Sequence, residues 1–424
     1  MRKKTIVLLL SVTLFLSFSV SCGGKNRVVN YEDSEGEITT ITFFGNKYEP
    51  ENVRVIEQIL SGFMKDNPDI RVSYESLKGN AYYDALEKRM ASGKGNDVFM
   101  VNHDILLELQ ARGQVADLSD LKTIPDYTDR MRGQMYEDGK IFWLPTTVSI
   151  FGLYCNMDLL KKHRQDIPET LGEWEEICNY FTEQGITPII ANNDISLKTL
   201  AIGRGFYSLY QEDRQGEVFR RINSAEEKLS GYLRDGFSIV EQWIDKGFID
   251  AEKALQTQKT SDDLEEFAKG EAPFLLTGVW ASVRLENKNP DFAYEIAPLP
   301  ILEDGPLLVV NADTRLSINA DSAHPEAARR FVEYFTRADN IQKFSEQQSS
   351  FSPLRNGTLS SAEGIRRLVP CYESGRYVIG TDTLLDLPIW ELTGQASRKL
   401  LSGESLQSVL DWMDQQAEEE RLSR

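Results

Sequence analysis

The stretch "DGKIFWLPTTVSIFGLYCNMDLL", from Asp138 to Leu160, poses the question on which the fold turns. Aromatic and β-branched residues crowd into it, which favours buried strand. Pro145 cannot donate to a sheet ladder, however, and Thr146, Thr147 and Ser149 place hydroxyls where a core would take carbon. Two readings stand at this point: an ordinary pair of strands, or the wall of a polar cavity.

Upstream, strand-like and helix-like patterns alternate. Ile38 to Phe44, "ITTITFF", alternates apolar residues with Thr and reads as a strand ending at Gly45. Val53, Ile56, Ile59, Leu60 and Phe63 then recur at helical spacing, with Pro68 soon after. "IRVSYESL" from Ile70 is a second strand, and "AYYDALEKRMASG" a second helix closed by Gly93. "DVFMVN" from Asp97 is a short buried strand, followed by a third helix in "ILLELQARGQVADL". This order implies an α/β fold with a mostly parallel sheet covered on both faces. Downstream, helices dominate from about Met157 to Phe274, broken by "ITPIIANN" (Ile186 to Asn193), which reads as a buried strand. "APFLLTGVW", "YEIAPLPI" and "GPLLVVNADTRLSINADS" supply further extended pieces, and helices close the chain.

The N-terminus stands apart from this pattern. Arg2, Lys3 and Lys4 precede an apolar run from Ile6 to Val20, whose length suits the core of a signal peptide, residues 1–21, better than a membrane span. The run ends in "SVSCGG", Ser19 to Gly24. Small residues before Cys22 resemble the bacterial lipobox, whose Cys is acylated and becomes the mature N-terminus, although Ser19 replaces the usual Leu. Plain secretion with Cys22 as an ordinary thiol is the alternative. Residues 22–37 are polar and read as a tether between lipid and folded body.

Composition narrows the class. Asp and Glu number 66 against 47 Lys and Arg, a net charge of −19 that deepens further once the basic leader is removed. A surface of that sign disfavours nucleic acid and anionic lipid. The remaining roughly 400 residues exceed what one core serves and point to two lobes. Cys155, Cys178 and Cys371 make no disulfide framework and are expected as buried thiols. His103, His163 and His324 lie far apart, without metal-ligand spacing. "SGKGNDVF" at Ser92 lacks the spacing and the hydroxyl of a phosphate loop. No metal, nucleotide or other cofactor is therefore expected.

Taken in order, "FFGNKY", "NDVFMVNHD", the Asp138–Leu160 stretch, "FAKGEAPFLLTGVW", "IAPLPI" and "INADSAHPEAARRFVEYFT" resemble a family 1 extracellular solute-binding protein of an ABC importer, the class of maltose-binding protein. The resemblance runs through nearly the whole mature chain. It implies a two-lobed periplasmic-binding-protein type II fold, with a ligand cleft between lobes joined by a hinge. By the same resemblance, residues 38–148 and 313–368 form lobe one, and residues 149–312 and 369–424 form lobe two. The opening stretch then becomes a strand entering the hinge with Trp143 and Pro145, and a second strand beyond Gly152. Thr147 and Ser149 fall where the lobes meet, in a cleft that needs hydroxyls.

Candidate ligand residues follow from the fold and the resemblance together. In open α/β sheets ligands sit outside the carboxyl ends of strands. Asn46 and Lys47 follow the first strand and match a family position that reaches the ligand. Asn102 and Asp104 follow the third strand, where the resemblance puts a sugar-hydroxyl acceptor at Asp104; an Asp there also suits a helix cap. The family uses the Trp matching Trp280 as a stacking platform, and Trp390 matches a second aromatic position. A sugar's C–H face packs on such a ring while its hydroxyls reach outward. Trp174 and Trp243, at helical spacing with other apolar residues, are expected in the core. Arg204, Asn311 and Asp313 either serve hydroxyls or tie the lobes together.

The function implied is non-enzymatic: a monomer, lipid-anchored at Cys22 on the extracytoplasmic face, that captures a carbohydrate and hands it to ABC permease subunits. A secreted glycan-active enzyme is the main rival, but it needs two carboxylates at defined separation, and no segment advertises such a pair. A binder of another solute, such as a polyamine, is the second rival; the paired Trp280 and Trp390 argue for carbohydrate.

Overall fold

The computed structural model describes residues 38–358 and 363–423. The leader, the tether and Cys22 lie outside the described residues. Twelve strands are assigned among them: β1 (Thr39–Gly45), β2 (Ile70–Ser76), β3 (Val98–Val101), β4 (Tyr136–Glu137), β5 (Lys140–Ile141), β6 (Leu144–Asn156), β7 (Ile189–Ile190), β8 (Phe274–Gly278), β9 (Tyr294–Ala297), β10 (Leu299–Leu302), β11 (Gly305–Ile318) and β12 (Tyr377–Ile379). β4 and β5 form a small hairpin; the others join one sheet whose main path is β2-β1-β3-β11-β6-β8-β7. β9 lies beside β6, and β10 and β12 lie beside β11.

The first third folds in the expected order. β1 pairs in parallel with β2 and with β3. The helices Pro50–Asp66, Asn80–Ala91 and His103–Ala111 alternate with these strands. Pro at the first turn starts the Pro50–Asp66 helix, which buries Val53, Ile56, Ile59, Leu60 and Phe63. The sheet as a whole is not mostly parallel, because β11 runs antiparallel to β3 and to β6, and β6 antiparallel to β8 and β9. The strand expected over Ile186–Asn193 is reduced to Ile189–Ile190. Trp174 and Trp243 are core, fully buried and packed edge to face at 4.6 Å.

The Asp138–Leu160 stretch does not break at Gly152. Thirteen consecutive residues, Leu144–Asn156, form one strand, and every one of them is buried. At about 3.3 Å per residue the strand is roughly 43 Å long, enough to serve two lobes in succession. β11, with fourteen residues, runs back beside it. The Leu144 end of this pair adjoins β3, whereas the Asn156 end adjoins β8 and β9. The molecule is thus two α/β lobes that share two long strands. The Pro325–Phe335 helix packs on the Pro50–Asp66 helix and β1, in lobe one. The 3-10 turn Glu363–Leu368 packs against β9, which lies beside the Asn156 end of β6. A third connection runs through Phe351, which exchanges backbone hydrogen bonds with Val148 at 2.8 and 3.0 Å.

Gly152 is needed for space. A Cβ there would lie 2.7 Å from Ile296 Cγ2 and 3.3 Å from the Ala297 carbonyl oxygen, because β9 passes directly over it. Gly152→Ala should therefore lower unfolding free energy by about 2 kcal/mol, as overpacking a dense core does, measured by urea denaturation against wild type.

Candidate ligand-binding cleft

The register of the two long strands builds the site. Asp313 lies opposite Thr147, Asn311 opposite Ser149, and Val309 opposite Phe151. Opposed residues of an antiparallel pair project to the same face. One face of the crossing therefore carries Thr147, Ser149, Asn311 and Asp313 as a polar patch that runs into Phe151. Thr147, Ser149 and Asn311 are buried. Asn311 Oδ1 accepts from the Thr381 N–H at 2.9 Å, and the Thr147 hydroxyl lies 3.5 Å from that of Thr314. Asp313 Oδ1 accepts from the Thr314 N–H at 2.7 Å. The Ser149 hydroxyl is shielded and has no hydrogen-bond partner, a costly state for a polar group inside protein.

Lobe one adds charge beside this patch. Asn46 Nδ2 donates to the Tyr83 hydroxyl at 3.1 Å, while its Oδ1 is shielded and without a partner. Burial lowers the Lys47 ammonium pKa, against the opposing pull of Asp313 and Glu49. Asn102, not Asp104, caps the His103–Ala111 helix: its Oδ1 accepts from the Ile105 N–H at 2.9 Å. That leaves Asp104 for another task. Asp104 Oδ2 accepts the Glu391 N–H at 3.0 Å, in the first turn of the Ile389–Leu401 helix of lobe two. Its Oδ1 is shielded and has no partner. Burial raises the Asp104 pKa to about 7, although Lys198 and the Glu391 N–H work in the other direction.

Lobe two supplies the aromatic wall. Trp280 meets Phe151 edge to face with centroids 5.1 Å apart, and Trp390 meets it at 5.2 Å with the planes inclined by 43°. Both tryptophans are only half-buried. The structure thus brings Trp280 and Trp390 against one ring, Phe151, at the end of the face that carries Thr147, Ser149, Asn311 and Asp313. Arg204 is not among them. Its guanidinium donates to the Ile301 carbonyl at 3.1 Å and lies 3.6 Å from Glu303, at the β10–β11 hairpin several residues from the crossing.

Three contributors escaped the sequence reading. Phe151 could have been found by counting two residues on from Ser149 along an alternating strand. Arg315 is buried two residues on from Asp313, at the lobe-one end of the patch: its Nε donates to the Ala312 carbonyl at 2.9 Å and its guanidinium lies 4.0 Å from the Trp143 ring centroid. Burial lowers its pKa to about 10, opposed by Asp313, Asp104 and Asp382. A lone Arg inside an otherwise strand-like run was the available signal. Lys198, at 1% exposure, carries an ammonium over the Trp390 ring; nothing in its helical sequence context marks it.

The fold and cleft are those of a solute-binding protein, and the comparison with known families agrees. The family model described as bacterial extracellular solute-binding protein matches residues 47–342, so the chain belongs to that family. The multiple sugar-binding protein of Streptococcus mutans is 23% identical over 349 residues, 78% of this chain and 79% of that one. The maltodextrin-binding protein MdxE of Bacillus subtilis is 25% identical over 300 residues, 69% of this chain and 68% of its own. The solved structure of RafE in complex with raffinose superposes with a TM-score of 0.68 at 20% identity, covering 90% of this chain and 100% of that one, a likeness of fold.

Asp104 gives the cleft a pH signature. Its folded pKa lies above the ordinary carboxylate value, so its contribution to stability is complete below about pH 4 and is lost as pH rises through about 7. Asp104→Asn has no proton to lose. Its stability relative to wild type should increase between about pH 5 and pH 7.5, read from thermal unfolding at both; a constant difference would contradict the assignment.

Proposed function

We propose that this protein captures a carbohydrate, specifically an oligosaccharide, by closing its lobes over it, and delivers it to an ABC importer without chemical change. The observation that carries this reading is the pairing of Trp280 and Trp390 around Phe151, next to a patch of hydroxyl, amide and carboxylate groups. Flat apolar surface beside convergent polar groups suits a pyranose, whose C–H face and hydroxyl rim need one of each. The names of the two sugar-binding relatives support the same ligand class.

Closure has structural supports on both rims. Arg284 of lobe two pairs with Glu49 of lobe one, Asp104 receives the Glu391 N–H, and Gln134 Nε2 donates to Asp382 at 2.9 Å. A ligand that touches groups of both lobes shifts the open–closed equilibrium by the difference in its contacts with the two states. Asn46, Lys47, Asp104, Thr147, Ser149, Asn311 and Asp313 serve its polar rim, Asn102 fixes the start of the helix that presents Asp104, and Trp280 and Trp390 serve its faces. In this reading acylation at Cys22 keeps the monomeric binder on the extracytoplasmic side of the membrane beside its permease. Two or more acyl chains give stable anchoring where one would not.

Calorimetric titration with maltodextrins, raffinose-type sugars, chitin oligosaccharides, polyamines and amino acids tests the ligand class. Binding of a polyamine with no response to any carbohydrate would overturn it, as would turnover of an oligosaccharide. Trp280→Ala should weaken the binding of the responding sugar by about thirtyfold or more, the loss typical of a central aromatic contact. Its unfolding midpoint without ligand should stay near that of wild type, because Trp280 is only half-buried.

A further inference from the structure

Against the Trp390 ring lies a charged group that a stacking surface does not require. Lys198 comes from the helix Ile195–Gln211 and is 1% exposed. Its ammonium sits 4.2 Å from the Trp390 ring centroid and donates to the Trp390 carbonyl at 3.1 Å. It also pairs with Asp194, which pairs in turn with Lys259. Two cations thus share the Asp194 carboxylate, and one of them, Lys198, places its ammonium directly against the indole.

We propose that Lys198 is a positioning and specificity-determining residue: it clamps the Trp390 indole at one face and, by charging that face, favours neutral or acidic ligands over cationic ones. This deepens the carbohydrate reading and rests on Trp390 being a ligand platform. The clamp is geometric. A bond to the backbone carbonyl and a cation against the ring restrain both the turn and the plane of the same residue. The selectivity is electrostatic. A cation on one face draws on the ring's negative quadrupole, which weakens the other face toward a second cation, and like charges repel directly.

The surroundings of Lys198 keep its charge sensitive to pH. Asp194 and Lys259 face it within lobe two, Arg398 lies near it by Gly394, and Glu391 stands on the same helix as Trp390. Asp104 faces it from lobe one. Burial wins over these carboxylates and lowers the Lys198 pKa to about 8.

The test uses the full chain. Tryptophan emission of wild type and W390F is recorded between about pH 6.5 and 9.5, so that the difference isolates Trp390. That difference should change with a midpoint near pH 8, vanish as a transition in K198M, and stay flat in K198R. A flat difference in wild type, or a transition that K198M leaves intact, overturns the clamp. In a second arm, maltotriose, raffinose, chitotetraose and spermidine are titrated into each variant. K198M should weaken the responding sugar by about tenfold, equivalent to about 1.4 kcal/mol, and narrow its margin over spermidine, whereas K198R should retain both. Unchanged margins in K198M overturn the specificity role. If no carbohydrate binds even wild type, the carbohydrate reading fails and the emission arm alone decides the clamp.

Discussion

The antiparallel ladder between β6 and β11 is the constraint on which the rest depends. Both strands run through both lobes, so their pairing joins the lobes and also decides which side chains face the cleft. A slip of β6 by one residue against β11 would send Thr147 and Ser149 to the opposite face and bring Val148 and Ile150 into the cleft beside Asn311 and Asp313. The register is therefore a functional quantity. Several local features pin it. β9 presses against Gly152, and the Thr146 hydroxyl donates to the Thr314 carbonyl at 2.8 Å. Thr314 itself adopts φ +45°, an uncommon conformation for a β-branched residue, and sits beside Asp313 at the crossing.

The cleft concentrates charge in a place where burial is costly, and it does so by alternating sign. Lys47 lies near Asp313, Arg315 lies among Asp313, Asp104 and Asp382, and Lys198 lies between Asp194 and Asp104. Removing a single member would leave an opposite charge uncompensated in low dielectric, which costs more than the pair contributes. The shielded oxygens of Asn46 and Ser149 differ from these charges. They accept or donate without altering the charge balance, as groups meant for hydroxyls should.

The fold was more legible in the sequence than the site, and the reason is physical. Helical spacing at Val53, Ile56 and Leu60, and alternation at Ile41 and Phe43, are local patterns that burial enforces directly. The long strand was read as two because Pro145 and Gly152 are strand breakers locally, yet here Pro145 lies at the second residue of β6 and Gly152 makes room for β9. Arg204 was expected to serve hydroxyls or tie the lobes; the glycines on either side of it let its helix approach β11 and the Leu229–Asp245 helix. Lys198 was invisible, and Arg315 marked only by its place in a strand-like run, because a buried cation has little sequence signature of its own. It is defined by partners such as Asp194 or Asp313, and only the fold brings those together.

The two aromatic walls also share a polar support that neither makes alone. The Tyr154 hydroxyl donates to the Gly278 and Val279 carbonyls at 2.9 and 3.1 Å, fixing the turn that presents Trp280. Just before that turn, the Thr277 hydroxyl donates to the buried carboxylate of Asp263 at 3.0 Å. The same carboxylate accepts Asn192 Nδ2 at 3.0 Å, and Asn192 Oδ1 accepts the Ile195 N–H at 2.9 Å, at the start of the helix that carries Lys198 to Trp390. One buried carboxylate thus connects the backbones behind both tryptophans. Burial raises its pKa, yet two side-chain donors and two backbone N–H groups, of Ser261 and Leu264, satisfy it. Platforms held by such a network lose little conformational freedom when a ligand settles between them, so more of the contact energy is left for affinity.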